Sequence, residues 1–242
     1  PGANGVKRLG QWGWDNSITK EYLFGRCRQW LEQYLGSGHG VTFGVMEAGI
    51  KGDNPNVTAV WYASTLGVFA DEGVEIFTPW TWKTGMWEVL HLFPRYQQPI
   101  RVRTLSNRVA NVSAYASVNE GLDAMTVILV NRSLDMSETV QVAVANFPAS
   151  DEVCRVLTLA DLPNAETFRS HTDNALQETS VTIQAGTTRL TLALPPLSVS
   201  AVLLSGSTQD ASASPEHDRS SQAIFMSCVD FAGHCDYPAP LW

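Results

Sequence analysis

Two apolar runs, Val41-Thr-Phe-Gly-Val-Met-Glu-Ala-Gly49 and Gly73-Val-Glu-Ile-Phe-Thr-Pro-Trp-Thr-Trp82, bracket a segment whose apolar residues recur at helical spacing. Strand, helix, strand in that order favours a parallel pair joined by a crossover. Such a pair cannot stand alone, because its open edges and uncovered faces call for helices and further strands. In α/β barrels the chemistry gathers at the C-terminal ends of the strands. The first run delivers a carboxylate there, Glu47; the second delivers Trp80 and Trp82.

The hydrophobic period divides the chain. Up to about residue 98 helix-like and strand-like segments alternate. Ser17 can cap a helix carrying Leu23, Cys27, Trp30, Leu31 and Tyr34 on its apolar side, stopped by Gly36 and Gly38. The turn Gly52-Asp-Asn-Pro-Asn56 can cap the next helix, with Val57, Val60, Trp61 and Leu66 on one side, and a short helix with Met86, Val89, Leu90 and Phe93 should halt near Pro94. From Ile100 to Leu204 the period becomes two. Val140, Val142 and Val144 alternate with smaller or polar residues, as do Leu190, Leu192 and Leu194, Val181 with Ile183, and Val199, Ala201 and Leu203. Ala124 to Val130 is a continuous apolar run, as a central strand would be. Many short strands separated by polar turns favour a β-sandwich. Ser205 to Gln222 has the composition of a linker, and residues 223–242 carry no assignable pattern. The chain thus divides into 1–98, 99–205 and 206–242.

A net charge of -8 opposes nucleic acid or an anionic membrane as partner and leaves a neutral polymer open. No window reaches transmembrane length. Eight tryptophans offer flat faces of the kind on which pyranose rings stack, although cores also use them. Cys27 and Cys154 fit buried thiols, Cys228 and Cys235 can pair in an oxidising compartment, and Asn56, Asn111 and Asn131 head formal glycosylation acceptors. No metal cluster and no phosphate-binding loop is present, so no cofactor is expected.

Taken residue by residue, the candidates keep two readings. Glu47 is either a solvated loop carboxylate or arginine partner, or a catalytic group at a strand end. Trp80 and Trp82 are either sugar platforms or core, and the same choice applies to Trp12 and Trp14. His39 and His91 fit surface or satisfied histidines. Asp71, Glu72 and Glu75 fit solvated positions around the second strand, with a substitute acid as the other reading.

Three pieces resemble the C-terminal part of clan A glycoside hydrolases, nearest the family 44 endoglucanases, with families 51, 39 and 30 similar. They are Phe43-Gly-Val-Met-Glu47, the stretch Leu66 to Trp80, and Met125-Thr-Val-Ile-Leu-Val-Asn-Arg-Ser133 with Leu194-Pro-Pro-Leu-Ser-Val-Ser200. The resemblance implies an α/β plus all-β chain: the last strands and helices of a (β/α)8 barrel in 1–98, then a β-sandwich in 99–205. It implies a secreted, retaining endo-β-glycanase with Glu47 as nucleophile and Trp80, Trp82, Trp12 and Trp14 against a polysaccharide.

Two departures qualify it. Ala48 follows Glu47 where the family has an aromatic residue, and no Asn-Glu pair precedes Glu47 to supply the acid/base; Asn119-Glu120 falls in the β region. Retaining hydrolysis needs two carboxyl groups about 5 Å apart. The expectation is therefore a nucleophile half, completed by a second polypeptide or a second copy. The alternative is a non-catalytic carbohydrate-binding or structural remnant.

Overall fold

A computed structural model describes residues 23–166, 168–184 and 188–206 and, as backbone, 223–228. The described residues fall into two compact units, one drawn from 23–51 and 61–82, the other from 52–60 and from 83 onward.

The first unit runs helix α1 (Leu23–Leu35), strand β1 (Phe43–Ala48), helix α2 (Pro55–Glu72, whose opening residues belong to the second unit) and strand β2 (Val74–Pro79). β1 and β2 pair in parallel, as the strand-helix-strand order requires. α1 ends where expected, with Gly36 and Gly38 in the left-handed region at φ 79° and 76°. Its buried residue is Phe24; Trp30 and Tyr34, expected on the apolar side, are exposed instead. Phe24 takes the inner position because it meets Phe43 and Phe69 at 6.0 and 5.9 Å, and Phe69 meets Phe77 at 5.3 Å edge-on. That ring cluster ties α1 and α2 to one face of the strand pair. Cys27 is only half-buried, short of the expected buried thiol.

The second unit holds the start of α2, helix α3 (Met86–Tyr96) and nine strands: β3 (Ile100–Ser106), β4 (Val112–Val118), β5 (Ala124–Asn131), β6 (Glu138–Val144), β7 (Val153–Leu159), β8 (Gln177–Thr182), β9 (Arg189–Leu194), β10 (Ser198–Ser205) and β11 (Ala223–Cys228). Asn54 caps α2 as its turn predicts, its side-chain oxygen accepting the N–H groups of Asn56 and Val57 at 3.0 and 3.1 Å with Pro55 in the first turn. α3 ends at Tyr96, near Pro94 as expected. Lying in the last turn, Pro94 forfeits one hydrogen bond while the helix continues to Tyr96 and closes with Gln97 N–H on Phe93 O at 2.9 Å. Gly85, just before α3, sits at φ 87°, and a Cβ there would lie 2.2 Å from the Pro55 carbonyl oxygen.

The strands are ordered β8-β7-β10-β5-β4-β3-β11-β6-β9, antiparallel except for β3 with β11. β9, at one end of that order, lies against β8 and β10 near the other end, so the sheet folds over and buries its inner face. Val127, Leu129, Val140, Val142, Val156 and Leu194 fill that interior. β5 and β10 are buried along nearly their whole length. This accounts for the continuous apolar run in β5, and shows that β10 is central where a half-exposed alternation was expected. Residues 223–228, without an assignable pattern in the sequence, form β11 between β3 and β6.

Asn119-Glu120 is the turn between β4 and β5: the Asn119 side-chain oxygen accepts the N–H groups of Asp123 and Ala124 at 3.1 and 3.0 Å. Asn131, a formal glycosylation acceptor, is fully buried and consumed by backbone hydrogen bonds, so it is closed to a glycosyltransferase in the folded state. Cys154 is buried, and burial pushes its thiol up. The side chains of Cys228 and Cys235 lie outside the described residues.

Candidate active site

The C-terminal end of β1 is the unusual point of the first unit. Along the parallel pair Met46 stands opposite Thr78 and Ala48 opposite Pro79, leaving Glu47 as an extra residue in a bulge. Its φ is 59°, the left-handed region that a side chain other than glycine, asparagine or aspartate seldom adopts. Bulges re-aim the side chain they carry, and backbone strain of this kind clusters at functional sites. The Glu47 side chain is exposed, and among the described residues it has no hydrogen-bond or ion-pair partner.

Immediately beyond the bulge the two strands are stitched together by Trp80 N–H donating to Ala48 O at 3.1 Å. This places Trp80 beside the strand end that carries Glu47. Trp80 is 66% exposed and Trp82 61%, so neither is core. Beneath them Gly49 brings the backbone against α2: a Cβ on Gly49 would lie 3.7 Å from the Tyr62 hydroxyl oxygen and 4.0 Å from Trp80 Cβ. Tyr62 is fully buried, edge-on to Trp61 at 4.9 Å, and burial pushes its phenol up. Among the described residues its hydroxyl has no partner.

Two other carboxylates of this unit are engaged elsewhere. Glu72 pairs with Arg28 at 2.6 Å, and Glu75 accepts the Thr42 hydroxyl at 2.9 Å. Glu75 is next to the first residue of β2, and Asp71 and Glu72 are the last residues of α2 leading into it. In a parallel pair that is the end opposite Glu47. Glu75 is four residues from Pro79, or about 13 Å along a strand. None of these three can approach within the 5 Å or so of Glu47 that a retaining pair requires. Trp12 and Trp14 lie outside the described residues.

The second unit carries an open cleft of about 410 Å³ lined by Leu90, His91, Pro94, Arg95 and His171. Burial, then the charges of Arg95 and His171, hold His91 below the usual histidine range. His39, in the first unit, is a satisfied histidine, accepting Val41 N–H at 2.9 Å. Among the described residues no three histidine, cysteine, aspartate or glutamate side chains are grouped to hold a metal, and no helix is long and apolar enough to cross a membrane.

Two features of the site had no signature in the sequence: the left-handed bulge at Glu47 and the unpartnered phenol of Tyr62. The first arises from pairing with β2, and the second from the docking of α2, so neither is a local property.

No family model and no curated protein matches the sequence. Solved structures do. The chain is similar to a bifunctional glucanase-xylanase from a metagenome library, at 22% identity and TM-score 0.61 over 80% of this chain and 37% of that one. It is similar to a family 44 xyloglucanase from Paenibacillus polymyxa at 17% identity and TM-score 0.60, over 79% of this chain and 37% of that one. An α-L-arabinofuranosidase from Thermotoga maritima matches at 13% identity and TM-score 0.55, over 76% of this chain and 48% of that one. The chain thus spans a little over a third of the two glucanases and about half of the arabinofuranosidase. Its fold is shared with part of these glycoside hydrolases, the group that the motifs around Glu47, Trp80 and Asn131 resemble.

Proposed function

We propose that this chain is the nucleophile-bearing portion of a retaining β-glycanase, with Glu47 as nucleophile and Trp80 as the platform under the sugar. In this reading the first unit belongs to a (β/α)8 barrel, the folded-over sheet is a β-sandwich, and the protein acts outside the cell on a polysaccharide. The observation that carries it is the bulge: an exposed carboxylate held in a left-handed conformation at a barrel-type strand end, one residue from a backbone bond to an exposed tryptophan. Keeping a bulky acidic side chain in that conformation costs of order 1–3 kcal/mol, which a merely solvated loop residue would not require.

The chemistry follows from the atoms. A Glu47 carboxylate oxygen attacks the anomeric carbon as the glycosidic C–O bond breaks, and a general acid protonates the departing oxygen. Water, deprotonated by the same group acting as base, then displaces Glu47 and restores the carboxylate. Trp82 can extend the aromatic surface to a neighbouring sugar. The acid/base has to be a group other than Asp71, Glu72 or Glu75, for the reasons of distance given above.

A non-catalytic carbohydrate-binding role is the second reading, and that missing partner is what favours it. Trapping separates the two. Incubation of the natural protein with a 2-fluoro-glycoside should place one sugar on the peptide containing Met46-Glu47-Ala48, and Glu47→Gln should abolish the adduct while leaving the fold intact. A label on another carboxylate, or near-normal turnover by the glutamine variant, would refute the nucleophile assignment. Saturable glycan binding with no adduct would establish the second reading.

A further inference from the structure

We infer that the open cleft of the second unit is an oxyanion-binding site, in which Arg95, His91 and His171 receive one negatively charged group, either an inorganic oxyanion or the carboxylate of an acidic sugar. All of its residues belong to the second unit, so the inference stands whichever reading of Glu47 holds. α3 supplies Leu90, His91, Pro94 and Arg95, and the loop 160–176 between β7 and β8 supplies His171, around a volume of about 410 Å³. His91 and Arg95 are four residues apart and share one helix face. The loop is seated against that helix at two points. The Phe168 ring lies 5.1 Å from the His91 ring, and Ala175 N–H donates to Glu88 Oε1 at 3.3 Å. Between them Arg169 and Ser170 donate their N–H groups to Asp173 O at 2.9 and 3.1 Å, closing a turn that carries His171.

The charge around the cleft has one sign. A guanidinium keeps its proton, and an imidazole becomes a double donor once protonated. Among the described residues no carboxylate lines the cleft. The carboxylates nearby are engaged: Glu88 is buried and takes Ala175 N–H, Asp173 lies 3.9 Å from Arg169, and Glu166 accepts Phe168 N–H at 3.0 Å. Tyr96, also titratable, sets its ring 6.2 Å from that of His91 and 6.0 Å from the Arg95 guanidinium. Arg95 is exposed and has no ion-pair partner among the described residues. Burial first, and then the charges of Arg95 and His171, oppose a proton on His91, so the three groups feel one another and lack a counter-charge. In a chain of net charge -8 this is a local reversal of sign. An oxyanion supplies the missing charge and matches the fork of the guanidinium, while Leu90 and Pro94 offer an apolar wall to a carbon skeleton. A bound anion favours the protonated imidazoles, so affinity should rise as pH falls below about 6.5.

Ring-proton NMR on the full chain tests this, with sodium sulfate and sodium glucuronate as probes at constant ionic strength and glucose as the neutral control. Both anions keep a fixed charge between about pH 7.5 and 5.5, so any pH dependence belongs to the protein. The expected result is a saturable shift of the His91 and His171 signals with at least one of the two anions. Its dissociation constant should be about 10 mM or tighter, and at least about threefold tighter at the lower pH. His39, in the first unit, should not shift. Arg95→Gln should weaken binding about tenfold, the loss expected for one charge-assisted hydrogen bond, and His171→Asn should reduce the gain at low pH. Arg155→Gln, on β7 and paired with Glu178, should leave the affinity unchanged. Tighter binding of glucuronate would identify an acidic sugar as the source of the anion, and tighter binding of sulfate an inorganic oxyanion. Shifts that grow without saturating, an equal shift of His39, unaltered binding by Arg95→Gln, or saturable binding of glucose at the same residues would overturn the proposal.

Discussion

The backbone N–H of Trp80 reaches the carbonyl oxygen of Ala48 at 3.1 Å, so the last hydrogen bond between β1 and β2 fixes an exposed indole beside the residue that follows Glu47. The two are separated by a helix in sequence, and only the parallel pairing brings them together.

Trp80→Ala should therefore weaken glycan binding without loosening the fold. The indole is mostly exposed, and its backbone bond to Ala48 survives the substitution. Losing one aromatic stacking partner is worth about 1 kcal/mol, so affinity for a soluble β-glucan should fall roughly five- to tenfold. Titration calorimetry on the natural protein checks the affinity, and thermal melting checks that the fold is unchanged.

Asn131→Leu should be among the most damaging substitutions in the second unit. The buried carboxamide donates to Met136 O, Leu194 O and Pro195 O at 3.0, 3.1 and 2.8 Å, and its oxygen accepts Ser133 N–H at 3.0 Å. It thereby joins the end of β5 to the Leu194-Pro-Pro turn 63 residues later. Stranding several buried backbone groups should cost about 3 kcal/mol or more, read as a lowered urea midpoint.

These bonds explain why some of the fold was legible and the rest was not. The run at β5, the alternation of β6 and β9, and the strand-helix-strand order at β1–α2–β2 are local patterns, visible because burial repeats with the period of the backbone. Trp30 and Tyr34 were misplaced because helical spacing identifies an apolar face without saying what covers it. β10 and β11 depended on which strands they pair with, and the bulge at Glu47 on its register against β2. That a carboxylate stands at the end of β1 was legible; its left-handed conformation was not.

His91 gives the second unit a pH dependence of defined sign. Burial, followed by the nearby Arg95 and His171 charges, lowers its folded pKa below the ordinary value of 6.5. Above that value both folded and unfolded forms are neutral there and its contribution to stability is complete. As pH falls through 6.5 the unfolded chain binds a proton that the folded state refuses, and stability drops until the folded pKa is passed. Urea midpoints measured between about pH 7 and 5 should fall with pH, and His91→Phe should flatten that slope. A His91 ring that titrates at or above 6.5 by NMR would contradict the assignment.

Glu47→Gly separates stability from chemistry most cleanly. Glycine reaches φ near 59° without the steric cost that an L side chain meets, which is about 1–2 kcal/mol. Against this, glycine adds freedom to the unfolded chain, worth roughly 0.5–1 kcal/mol. The balance predicts a variant as stable as the parent or more stable by up to about 1.5 kcal/mol, and unable to form a glycosyl adduct. Glu47→Val should behave oppositely in the folded state: a β-branched side chain is poorly tolerated in the left-handed region, so it should destabilise while also abolishing the adduct. If glycine instead destabilised the protein as much as valine, Glu47 would be holding the strand end together through its side chain, and the strain would not be a feature kept for catalysis.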